Sequence, residues 1–163
     1  MTTINEAFLK KMRNPLLFKG FLGAKLPLGY MAGLRIDELT VEQCAVSLPY
    51  GWRTQNPFQS IYFAAQSMAA ELSTGALAML AIESADQPVS MLVTNMQAEF
   101  TKKATMRSVF TCTQGKEVFD AIAHTIETGE GVKLPMKTIG LMEDGTQISE
   151  FIFEWSFKRK SRK

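Results

Sequence analysis

The chain carries one histidine, His124, and two cysteines, Cys44 and Cys112, among 163 residues. Neither cysteine belongs to a CxxC pair or has a second ligand type nearby. A zinc site or a disulfide is therefore not expected, and both read as reduced core residues. The GxGxxG, P-loop, GxSxG and HExxH patterns are all missing, which weakens nucleotide, serine-triad and zinc chemistry. Charge of one sign is lacking too: a net charge of +2 makes no electrostatic case for a nucleic-acid partner. Nor is there an uninterrupted hydrophobic run of spanning length. Residues 61–82 come close, but Gln66 and Glu71 interrupt them, and a carboxylate near a bilayer centre costs about 3 kcal/mol. A buried helix is expected, with no membrane partner. Residues 1–13 lack the apolar stretch of a secretory signal, so the expected location is cytoplasmic.

What is present fits an ordinary globular domain, with 46% hydrophobic and 21% charged residues, enough for one core. A single domain over residues 1–163 is expected, with a helical extension at 1–28 and a frayed basic tail at 158–163. Within the extension, residues 5–12 and 15–23 read as short amphipathic helices, the second opened by Pro15. Strands follow at 31–37 and 41–50, separated by Glu38, Leu39 and Thr40.

Residues 60–84 then form the dominant element, a helix of about 37 Å at 1.5 Å per residue. It is small or apolar on nearly every side, and Glu71 is its only charge before the last turn. Such a helix has to be enclosed. Strands at 89–101 and 106–114, a helix at 116–128 and strands at 132–142 and 146–157 complete the chain. The last two form a hairpin across Asp144-Gly145, and Phe151, Phe153, Trp155 and Phe157 share one face. The order implies an α+β fold, with an antiparallel sheet of about six strands curled round one long helix.

Glu71 is the residue that asks for chemistry, because a lone carboxylate on an enclosed helix is costly unless paired or used. Helical spacing puts Phe63, Ser67, Glu71 and Thr74 on one stripe, with Tyr62 and Gln66 beside it. One reading has the carboxylate satisfied by the Ser67 and Thr74 hydroxyls, or by an arginine across an oligomer interface. The other makes it a general base toward a thioester carbonyl, with the first-turn N–H groups near Tyr62 and Phe63 receiving the oxyanion. Asn56, just before Pro57, reads either as a cap or turn residue or as an amide that orients water or the carbonyl.

The stretch Asn56-Pro57-Phe58-Gln59-Ser60-Ile61-Tyr62, followed by Glu71, resembles the start of the central helix in phenylacetyl-CoA-type hotdog thioesterases. That family has an Asn, a Gly, then His-Gly-Gly and an acid nine residues after the His. Asn56 falls on the Asn, Tyr62 on the His and Glu71 on the acid. Gln59 stands near the glycine, and Phe63-Ala64 replaces the Gly-Gly pair.

The resemblance implies a divergent branch of the hotdog superfamily acting on acyl-CoA or another acyl thioester. It assigns Glu71 and Asn56 to catalysis and places Ser90 close to a serine that supports the water in some members. Ser90 joins Tyr62, Phe63, Ser67 and Thr74, which surround Glu71 by helical spacing, as the expected substrate-binding residues. No cofactor is implied beyond coenzyme A as part of the substrate. A homodimer or homotetramer is implied, and Lys102, Lys103 and Arg107 become the basic cluster nearest to a coenzyme A phosphate, or else a solvated loop. A non-catalytic protein holding acyl-CoA or an acyl chain is the alternative. A hydratase ranks last, because His124 lies on the inserted helix away from Glu71.

Overall fold

Local chemistry opens the chain. In the computed structural model, which describes residues 3–161, Asn5 Oδ1 accepts from Phe8 N–H and caps α1 (Glu6–Arg13). Asn14 Oδ1 accepts from Leu16 N–H and Leu17 N–H and caps α2 (Pro15–Lys25). A third helix, α3 (Pro27–Ala32), starts at a proline and stops at Gly33 with φ 79°. The helical extension therefore reaches residue 32 rather than 28, and Met31 is helical where the sequence suggested a strand. The first strand, β1, begins only at Arg35 and runs to Leu39.

The turn to β2 (Cys44–Leu48) lies at residues 40–43, where the Thr40 hydroxyl accepts from Glu42 N–H and Gln43 N–H. It does not lie at residues 38–40, because Leu39 is a fully buried strand residue. The central helix α4 (Phe63–Glu83) begins three residues later than expected. Its approach is held by distant partners instead of helical bonds: Ile61 N–H donates to Ala104 O and Tyr62 N–H to Thr54 O.

Strands β3 (Val89–Phe100), β4 (Ser108–Cys112), β5 (Val132–Met142) and β6 (Gln147–Arg159), with α5 (Gly115–Thr128) between β4 and β5, complete the fold. All pairings are antiparallel, in the order β1-β2-β4-β5-β6-β3. The β5–β6 turn is the one read from Asp144-Gly145: Gly145 has φ 85°, and Asp144 Oδ1 accepts from Thr146 N–H.

Helix α4 packs on β2, β4, β5 and β6. Phe151, Phe153, Trp155 and Phe157 of β6 are buried beneath it. Cys44 and Cys112 meet directly across β2 and β4. Both are free and buried, and burial pushes the Cys112 thiol up to about 11 and Cys44 higher still.

The basic end is not frayed as far as it is described. Lys158 and Arg159 belong to β6, Arg159 N–H donates to Thr125 Oγ1, and Lys160 N–H donates to Pro88 O. The expected tail extends to residues 162–163, which lie outside the described residues.

Candidate functional site

Helix α4 presents two kinds of face. Its buried polar groups fasten it to the sheet: Ser73 Oγ donates to Thr138 Oγ1, and Gln66 Oε1 accepts from Ser149 Oγ. The opposite stripe, with Phe63, Ser67, Met68 and Glu71, is exposed or half-buried. The helix is thus enclosed on most sides, not on all.

Glu71 lies half-buried on that stripe. Burial raises the pKa of its carboxyl above the ordinary carboxylate value. Neither flanking hydroxyl reaches the carboxylate. Ser67 Oγ donates to Phe63 O, whereas Thr74 Oγ1 donates to the backbone oxygen of Glu71 and accepts from Trp155 Nε1 at 2.9 Å.

Gly75 explains how the carboxylate and the indole come together. A Cβ on Gly75 would lie 3.3 Å from Glu71 Oε1 and 3.4 Å from Trp155 Cζ2, so the missing side chain leaves the two groups sharing one space. Trp155, read from sequence as one of four core aromatics, also supports the helix turn that carries Glu71. Nothing in its alternation distinguished it from Phe151 or Phe153. Trp155→Phe removes this hydrogen bond and part of the ring. The expected loss is about 1–2 kcal/mol of stability, read from the urea midpoint.

An aromatic series runs from the start of α4 into the core. Tyr62 and Phe63 have ring centroids 4.9 Å apart, Phe63 and Phe100 6.4 Å, and Phe100 and Phe151 5.5 Å. Phe100 and Met96 are on the inner face of β3, opposite Ser149 and Phe153 of β6, yet both are exposed. Strand β3 is an edge strand and extends past the cover of α4. Along the stripe that carries Phe63 and Glu71 the single chain therefore offers an open apolar face, and a concavity lies between α4 and α5 around Ala81, Phe119 and Ile122.

Asn56 shapes its own loop: Oδ1 accepts from Phe58 N–H at 2.9 Å, and Nδ2 donates to Ser60 Oγ. Tyr62 is the α4 N-cap and supplies no side-chain cap, and among the described residues the N–H groups of Phe63, Ala64 and Ala65 have no partner. Ser90 pairs with Lys158, one residue out of phase with Met91 and the buried Phe157. It is therefore on the outer face, away from Glu71, and its Oγ donates to Lys158 O. Arg107 is ion-paired with Asp37, while Lys102 and Lys103 are exposed. His124 is exposed on α5.

Residues 15–155 match the family model described as a domain of unknown function, DUF4442. No curated protein matches the chain. Among solved structures, a Pseudomonas aeruginosa protein of unknown function described as a "probable thioesterase" is 18% identical. It superposes with TM-score 0.77 over 92% of this chain and 99% of its own. A thioesterase family protein from Silicibacter pomeroyi is 16% identical, with TM-score 0.65 over 94% and 99%. The thioesterase HI1161 from Haemophilus influenzae is 8% identical, with TM-score 0.62 over 90% and 91%. At these identities the likeness establishes the fold, which is the thioesterase-type hotdog.

Proposed function

The chain belongs to the DUF4442 family, and we propose that this member hydrolyses acyl thioesters, with acyl-CoA as the substrate class and Glu71 as general base. The observation that carries this reading is Glu71 itself: a half-buried carboxylate, raised by burial and without a partner among the described residues, on the uncovered stripe of α4. A carboxylate of this kind takes a proton from water more readily than an exposed one does.

In the proposed step, water attacks the thioester carbonyl as Glu71 removes its proton. The oxyanion lies at the first turn of a partner protomer's α4, because Glu71 sits eight residues, about 12 Å, along its own helix from that turn; there free N–H groups and the positive dipole end favour it. Collapse then breaks the C–S bond, and the thiolate leaves with the proton from Glu71. The carboxylic acid is released, and no metal or organic cofactor takes part. Tyr62, Phe63, Met96 and Phe100 pack against the acyl group, and Ser67 lines the path to Glu71. Asn56 keeps one Nδ2 hydrogen for the water or carbonyl, Thr74 holds the Glu71 turn, and Lys102 and Lys103 meet the coenzyme A phosphates. Ser90 has no part in this arrangement.

A second copy completes the site. The free edge and exposed inner face of β3 suit antiparallel pairing with the β3 of a partner, forming a homodimer that shields Met96 and Phe100 from water. Met96→Lys puts a charge on that face. The expected result is a monomer in sedimentation velocity that loses most of its turnover.

The experiment is hydrolysis of short, long and aromatic acyl-CoAs by the purified protein. Turnover on any of them supports the enzyme. Binding of acyl-CoA without turnover would instead favour a carrier of acyl groups, a reading that the crowding side chains of Phe63-Ala64 at the helix start would explain.

A further inference from the structure

The N-terminal helices combine two features that the hydrolase reading does not use. Residues 1–35 hold six basic side chains against one acidic, net +5, whereas residues 36–163 hold twelve against fifteen, net −3. The same helices leave large apolar side chains in solvent: Leu16 is 80% exposed, Leu28 68% and Met31 61%, with Leu17, Leu26 and Tyr30 also exposed. Helix α2 buries Phe18 and Leu22 on its inner side, so it is apolar on both sides. An element of that kind calls for a second cover.

Charge and apolar surface are interleaved. Lys19 Nζ lies 5.7 Å from the ring centre of Tyr30, which joins α2 to α3, and Lys11 Nζ lies 5.5 Å from that of Phe21, which joins α1 to α2. Lys10, Lys11, Lys19 and Lys25 are all exposed. Helices α1 and α2 pack on β1, the sheet edge opposite β3. The proposed dimer edge is therefore not what covers this surface.

We propose that α1–α3 form a docking surface for an anionic lipid bilayer, with the leucines and Met31 entering the interface and the lysines meeting lipid phosphates. Exposed leucine and tyrosine rimmed by lysine, with Glu6 the one acidic residue of the three helices, is the chemistry of adsorption to a negatively charged interface. A second copy of this strongly positive surface would be repelled. Adsorption needs no spanning segment: among the described residues no helix is long and apolar enough to cross a membrane, and the sequence-based expectation of no membrane partner rested on spanning alone. The inference does not depend on the hydrolase reading.

The test is co-sedimentation of the full chain with vesicles of phosphatidylcholine alone or mixed with phosphatidylglycerol. Binding is expected to the mixed vesicles only, and to weaken as salt is raised. Lys19→Ala with Lys25→Ala should weaken it by about 25-fold, from roughly fivefold per basic residue. Leu16→Ser with Leu28→Ser should weaken it by tenfold or more. Both variants alter exposed side chains, and unchanged circular dichroism and melting would show that they fold. Failure to bind mixed vesicles would overturn the proposal, as would binding that the variants leave unchanged. Sedimentation velocity adds a third outcome: a leucine variant that dissociates the protein would assign the surface to a second copy instead.

Discussion

Glu71→Gln is expected to lower thioester turnover by roughly 10²- to 10⁴-fold, the usual worth of a positioned general base. The amide keeps the shape of the side chain but cannot accept the proton of water. The pH dependence identifies the group. The base acts when ionised, so kcat/KM should rise with pH through an apparent pKa above the ordinary carboxylate value, the direction that burial imposes on Glu71. In the variant that rise should vanish.

Stability should move the other way. A raised folded-state pKa means that the native protein binds more protons than the unfolded chain between the unfolded and folded pKa values of Glu71. Its stabilising share is complete below the unfolded pKa and is lost as pH rises through the folded pKa. Above that pKa the native state carries an ionised, half-buried carboxylate with no partner among the described residues. Glu71→Gln should there melt no lower than the parent and preferably higher, by differential scanning calorimetry. A fall in activity together with a fall in melting temperature would point to a structural role instead.

Gly115→Ala is expected to destabilise the fold by about 3 kcal/mol or more, the upper range for overpacking. Gly115 is the first residue of α5, and its N–H donates to Glu42 O in the β1–β2 turn. A Cβ there would fall 2.0 Å from Val41 O and 2.6 Å from Glu42 Cα. These are backbone atoms, so no rotamer change relieves the contact. Either the helix start or the turn has to move, and α5 would lose its seat on α4 and β6. The contrast is Gly20→Ala in α2, where a Cβ meets nothing within 4 Å. That change should stabilise by about 0.5–1 kcal/mol through better helix propensity. Urea denaturation of both variants checks the pair.

The two glycines are indistinguishable in the sequence, and they mark the boundary between what it determined and what it did not. Composition was sufficient for the existence of α4 and its burial on most sides, because small and apolar residues over six turns favour an enclosed helix, but not for the stripe through Phe63 and Glu71 that stays uncovered. Alternation was sufficient for β6, with its four buried aromatics, and Asp144-Gly145 for the turn before it, because φ above zero there is a local requirement. Glu71 stood out for the same reason: its isolation is a property of its own neighbours along the helix.

Partners distant in the chain decided the rest. Helix α4 starts at Phe63 because Thr54 and Ala104 claim the preceding N–H groups. Met31 is helical because Pro27 and Gly33 bracket a turn too short to show periodicity. Asn56 is turned toward Phe58 and Ser60. Ser90 faces outward because the register with β6 places it opposite Lys158. Cys44 and Cys112, remote in sequence, become direct neighbours across β2 and β4. Local propensity and periodicity act within a few residues and are written in the sequence. Register, strand order and the meeting of Glu71 with Trp155 over Gly75 depend on how whole elements pack, and only the folded chain brings those groups together.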